Sequence, residues 1–195
     1  MADALVADAL AVIEASGVEH VIPVAQAHAG WIAFELRRRL GQRIPKMVLL
    51  EWLILEAPPP FLNALAALQQ PEQWRQTREQ MFAMWTAGVE NEALVRFIHE
   101  VMGAHGFEMW ARAAREINAA YAQAGSPLQA LAAQEPFIPT LHLYSQPPDP
   151  DYLAAQQTFA EAHPWFKVQR LEARSHFPMF EIPGEMAGAI ETFVA

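Results

Sequence analysis

The 195-residue chain contains no cysteine. That excludes disulfides, thiolate metal sites and thiol catalysis, and it fits a reducing, cytoplasmic setting. Positive charge is scarce: 13 Lys and Arg stand against 22 Asp and Glu, for a net charge of −9. The basic run Arg37-Arg38-Arg39 has the character of a solvated helix face. Neither a nucleic acid nor an anionic membrane is therefore expected as partner. No uninterrupted apolar stretch approaches the ~18 residues of a membrane span. The apolar N-terminal run is interrupted by Asp3 and Asp8 and lacks the basic start of a signal peptide. Internal repeats and low-complexity tracts are absent too. What is present is 53% hydrophobic and 18% charged residues, the balance of one globular domain with a sizeable core.

The chain is organised around Val21-Ile22-Pro23-Val24-Ala25-Gln26-Ala27-His28-Ala29-Gly30-Trp31. A short apolar, β-branched run meets a cluster of small residues, and a helix-forming run to Leu40 follows. Strand, tight small-residue turn and helix make a nucleophile elbow, in which small residues flank a central side chain thrust out at the top of a parallel sheet. Ala25, Ala27 and Ala29 fit that spacing. The nucleophile position itself holds Ala27, which has no reactive atom, so covalent attack from this turn is excluded.

Apolar spacing predicts a first helix over residues 2–16, stopped by Gly17. Residues 18–24 read as a strand buried on both faces, and Met47-Val48-Leu49-Leu50 as a second strand ending at Glu51-Trp52. After Pro58-Pro59-Pro60 only helical patterns run to about residue 124, and a short helix covers 128–134. Strand character returns at 138–144, followed by a Pro-rich loop, a helix over about 152–162, a strand over 166–171 and a last helix over 183–194. The predicted organisation is an α/β core in residues 1–57, a helical cap in 58–134 and the core continued in 135–195. Strands alternating with helices imply a mostly parallel sheet of about four strands, whose ligands bind beyond the strands' carboxyl ends. Those ends lie at residues 25–28, 51–52, 145–149 and 174–176.

His176, after the last strand, is placed as a general base, and such an imidazole needs a carboxylate to orient it. Asp149 and Glu51 both qualify by position. Asp149 lies among prolines, where a solvated turn explains it as well. Glu51 follows four apolar residues, and a buried carboxylate needs a partner, so Glu51 is preferred. His28 sits at the start of the elbow helix, a natural anion site, and Gln26 is a candidate donor to a substrate. Trp85 and Trp110 in the helical stretch are candidates to wall a flat aromatic ligand. His99, His105, His142 and His163 show no metal-type spacing, and no metal is expected.

Several motifs recur together, in order and at near-identical spacing, in one family: Pro23-Val24-Ala25-Gln26-Ala27-His28-Ala29-Gly30-Trp31, Glu51-Trp52-Leu53, Pro71-Glu72-Gln73-Trp74-Arg75, Ser145-Gln146-Pro147, His163-Pro164-Trp165-Phe166 and His176-Phe177-Pro178. Over essentially its whole length the chain resembles the cofactor-independent 3-hydroxy-4-oxoquinoline and 3-hydroxy-4-oxoquinaldine 2,4-dioxygenases. The resemblance implies an α/β-hydrolase fold and cleavage of an N-heteroaromatic ring with O₂ as co-substrate and release of carbon monoxide. It implies no cofactor and a small aromatic heterocycle as partner. Carried over by position, His176 is the base and Glu51 its acid, where the family has Asp. Gln26, Ala27 and His28 line the substrate, where the family shows His-Ser-His, and Trp85 is the cap aromatic. In that family the elbow serine orients substrate and is not acylated, so Ala27 does not by itself abolish the chemistry.

Family members carry about four strands before the elbow strand, whereas only a helix precedes Val18 here. A partial α/β-hydrolase fold is expected, with the elbow strand on an open edge that further chain or a homodimer would cover. Two other readings stand beside the dioxygenase: an ordinary hydrolase of the same fold, which Ala27 opposes, and a binding protein derived from that fold.

Overall fold

The computed structural model describes residues 2–195. Helix α1 (Ala2–Ser16) buries Val6 and Ile13 on one stripe, with Ala9 and Leu10 packed beside them, against Leu36 and Ile44. That i, i+3, i+4, i+7 spacing is the helical signature visible in the sequence. Strand β1 (Val24–Gln26) leads through a 3₁₀ turn (Ala27–Ala29) into α2 (Gly30–Leu40), and β2 (Met47–Leu50) follows. A helical insertion comes next: α3 (Pro59–Leu68), α4 (Trp74–Thr86), α5 (Glu92–Arg96) with a π-helical turn (Phe97–Met102), α6 (Phe107–Ala124) and α7 (Pro127–Ala132). The chain then returns through β3 (Thr140–Tyr144), α8 (Pro150–Ala162), β4 (Phe166–Arg170), α9 (Pro178–Glu181) and α10 (Pro183–Val194).

The four strands form one sheet in the order β1-β2-β3-β4, and every pairing is parallel. Strand β2 is wholly buried, and its alternation divides the core. Met47 and Leu49 face the side built from α2, α7 and α8. Val48 and Leu50 join Leu141, Leu143 and Leu171 on the side covered by α10. A third cluster fills the helical insertion, and Phe177, the neighbour of His176, is anchored in it.

The elbow strand is shorter than the apolar run suggests. Only residues 24–26 pair as strand, and Pro23, without an N–H, contributes its carbonyl to Val48 N–H (2.9 Å). Nor is the 18–24 run buried on both faces: Val18 and Val24 are 45% and 48% exposed. Strand β1 pairs with β2 alone and forms an edge of the described sheet. Among the described residues no helix is long and apolar enough to cross a membrane.

Candidate active site

The four strand ends converge above the sheet. Ala27 and Glu51 are the non-glycine residues with positive φ among those described, at +49° and +47°. The left-handed region costs an L-residue energy and persists only where surrounding structure enforces it. At the elbow, enforcement comes from packing. Gly30 lies against the Trp52 indole so closely that a Cβ there would stand 2.0 Å from Cζ3. Trp31, Phe34 and Trp52 form an edge-to-face and tilted aromatic cluster around it.

At Glu51 enforcement is polar. The side chain is fully buried, and its Oε1 accepts from the amide N–H and, at 2.7 Å, the hydroxyl of Ser145, which directly follows β3. Gln146 N–H approaches Oε2 at 3.4 Å. The other contact of Oε2 is His176 Nδ1, 3.3 Å away. The segment beyond Glu51 is held by two of the chain's three tyrosines: Tyr121 Oη donates to the Leu53 carbonyl (2.5 Å), and Tyr152 Oη donates to Trp52 O (3.0 Å) and accepts from Ile54 N–H (2.9 Å).

His176 keeps 24% of its side chain exposed, so the imidazole is tethered on one side and open on the other. Its ring lies nearly parallel to that of Trp85 on α4, 17° from coplanar with centroids 6.1 Å apart. Phe177 meets Trp85 edge-to-face. Gln26 reaches the site from β1, with Nε2 3.5 Å from the His176 carbonyl. His28 is exposed at the surface, yet the protein packed beside it holds its pKa below the usual imidazole value. Nearby His176 adds to that lowering, and Glu116 on α6 opposes it. His28 therefore tends to the neutral form, in which one ring nitrogen donates and the other accepts.

The structure thus brings together Gln26, Ala27, His28, Glu51, Trp85 and His176. It does not bring Asp149 to them: this carboxylate caps α8, accepting from Asp151 N–H at 2.9 Å. Trp110 is buried in the core of the helical insertion against Phe82. His142 is fully buried with Nδ1 2.6 Å from Gln156 Oε1, and burial drives its pKa down to about 4. His163 Nδ1 donates to Phe159 O at 2.8 Å, and Phe82 packs against His99. Among the described residues no group of three or more His, Asp or Glu side chains is arranged to hold a metal ion. Sequence reasoning missed Ser145, Ser175 and Glu181. The signal for Ser145 was present, since it opens the strand-end segment 145–149 and begins the Ser-Gln-Pro motif.

No protein-family model matches the chain. The curated 2-heptyl-3-hydroxy-4(1H)-quinolone dioxygenase of Mycobacteroides abscessus is 38% identical over 186 residues, covering 95% of this chain and 69% of the relative. The 1H-3-hydroxy-4-oxoquinoline 2,4-dioxygenase of Pseudomonas putida is 36% identical over 193 residues, covering 97% of this chain and 72% of that protein. The chain belongs to the 3-hydroxy-4-quinolone 2,4-dioxygenase family. A solved structure of 1H-3-hydroxy-4-oxoquinoline 2,4-dioxygenase superposes with a TM-score of 0.94 at 33% identity, over all of this chain and 74% of the other. A variant of AqdC, in complex with its substrate in a study of recognition and ring cleavage of the Pseudomonas quinolone signal, superposes at 0.93 and 36% identity, over 99% of this chain and 73% of that one. An esterase from Exiguobacterium antarcticum superposes at 0.73 with 13% identity, a likeness of fold alone. The fold is accordingly a partial α/β-hydrolase fold with a four-stranded parallel sheet.

Proposed function

We propose that this chain carries the active site of a dioxygenase that opens the ring of a 3-hydroxy-4-quinolone with O₂ and releases carbon monoxide. The observation that carries the reading is the pairing of a partly open imidazole, His176, with a fully buried carboxylate, Glu51, beneath the aromatic wall of Trp85. His176 accepts the proton of the substrate's 3-hydroxyl through its open side, and Glu51 holds the ring orientation and balances the imidazolium. The resulting anion is rich enough in electrons to react with O₂ without a metal or organic cofactor. Both oxygen atoms enter the product, at C2 and C4. The C2–C3 and C3–C4 bonds break, C3 leaves as carbon monoxide with the former hydroxyl oxygen, and the proton returns to the carboxyl group formed at C4. Trp85, Gln26, Ala27 and His28 line the flat substrate.

Ala27 and Gln26 supply a methyl and an amide where the family shows a hydroxyl and an imidazole. Each lost contact costs roughly 1–3 kcal/mol if its partner stays unpaired, an effect on binding and turnover that leaves the base in place. The same departures favour, as the second reading, a protein that binds the heterocycle without cleaving it. The test is O₂ uptake and carbon monoxide release with 3-hydroxy-4-quinolones. His176→Ala should reduce turnover about 10²–10⁴-fold. Normal turnover in that variant would remove His176 as base, and tight binding by the unmodified chain with no O₂ uptake would replace the enzyme with the binding protein.

A further inference from the structure

Ser145 is fully buried at the end of β3, and its Oγ stands 2.7 Å from two acceptors at once: Glu51 Oε1 and the carbonyl oxygen of Ser175. A hydroxyl has one proton to give and lone pairs on its other side. While Glu51 is ionised that proton must point at Oε1, because an oxygen lone pair facing a carboxylate at this distance is repulsive. With Ser145 N–H on the same oxygen, Oε1 is saturated by one residue, and Oε2 is left for His176 and the long contact from Gln146 N–H.

The second acceptor belongs to the residue immediately before the imidazole. Ser175 is itself fastened from the far side: its N–H donates to Glu181 Oε1 at 2.7 Å and its hydroxyl meets the same oxygen. Its Oγ accepts from Phe177 N–H at 3.0 Å, and Arg174 N–H reaches Glu181 Oε2 at 3.2 Å. With its proton on Oε1, Ser145 Oγ stands beside the Ser175 carbonyl without donating to it. Glu181 fastens the loop bearing the imidazole independently of Ser145, so that loop has little freedom to drift if the Ser145 hydroxyl is removed.

We propose that Ser145 is a positioning residue that sets the basicity of the Glu51–His176 pair by holding Glu51 Oε1 with both its backbone and its side chain. A hydrogen bond donated to a carboxylate spreads its charge and weakens its hold on a neighbouring cation. The Ser145 hydroxyl thus keeps His176 from retaining its proton too firmly to return it later in the cycle. The other titratable group facing His176 is His28 at the elbow, which in turn faces Glu116 of α6. Trp85 of α4 and Phe177 present uncharged rings. Glu181 of α9 contacts the loop through the backbone of Arg174 and both the backbone and hydroxyl of Ser175, and the Arg174 guanidinium donates to Gly88 O.

This inference rests on the proposed His176–Glu51 dyad, and its test is separable from turnover. In NMR titration of the unliganded chain, Ser145→Ala should move the His176 midpoint to higher pH. Ser145→Cys, which keeps the volume and donates weakly, should fall between. In a Glu51→Gln background the Ser145→Ala shift should vanish. Where ring cleavage is measurable, the acid limb of kcat/KM should move the same way, with kcat falling about tenfold and KM unchanged. An unmoved His176 midpoint in both Ser145 variants overturns the proposal, as does an equal shift in the Glu51→Gln background. Absence of ring cleavage in the unmodified chain would instead overturn the functional reading, and the titration would still decide the role of Ser145.

Discussion

Strands β1 and β2 run side by side, and each ends on a residue forced into the left-handed region, Ala27 and Glu51. Their surroundings differ. The turn at Ala27 closes an edge strand whose Val24 is half exposed, and it is held by Gly30 packing on Trp52. The turn at Glu51 closes a strand buried on every side, and its carboxylate is held by Ser145 and Gln146. Both turns keep the strained backbone, but only the second has a side chain that requires it. At the elbow the backbone aims its neighbours Gln26 and His28, whereas at β2 it aims the carboxylate itself. Strain marks where the chain must turn sharply, and the side chain decides what the turn is for.

The sharpest way to break this contrast is Glu51→Gln. The amide keeps the volume and removes the charge, so kcat should fall about 10²–10³-fold with KM little changed. Unchanged kcat would make the two turns equivalent scaffolds.

Next in size is a pH effect on the buried side of the sheet, where His142 lies beside Gln156. Burial lowers its folded pKa from 6.5 to about 4, so the unfolded chain binds a proton there that the folded chain refuses. The stabilisation is complete above pH 6.5 and is lost as pH falls toward 4, a change on the order of 3 kcal/mol. Lowered His28 acts in the same direction. Urea unfolding at pH 7.5 and 4.5 should show this loss, and His142→Leu should flatten it whatever its effect at pH 7.5. An undiminished slope in the variant would assign the acid sensitivity elsewhere.

The smallest effect tests the elbow. If the Ala27 side chain holds nothing, Ala27→Gly should relieve its positive φ and raise stability by about 1 kcal/mol in thermal or urea unfolding. A loss of stability would show that the methyl packs after all and that the two turns are more alike than their contacts suggest.

The sequence alone carried the local rules. Period-3.6 stripes located the helices, apolar runs located β2 and β3, and alternation located β4, because those patterns depend on neighbours a few residues away. The strand–small turn–helix order located the elbow, the chain order of modest motifs carried the resemblance to quinolone dioxygenases, and the alanine at the nucleophile position, Ala27, excluded acyl transfer. Tertiary structure decided what depends on distant partners. Residues 18–23 read as strand by composition but do not pair as one. Glu51 and Asp149 were both eligible carboxylates by position, with Glu51 preferred, and the fold sets Glu51 against His176 while Asp149 caps α8. The knot of Ser145, Ser175 and Glu181 left no periodic trace, since short polar side chains look the same in a solvated loop as in a buried network. What a residue prefers is written locally. Which carboxylate meets the imidazole is settled only when the ends of separate strands are brought to one edge of the sheet.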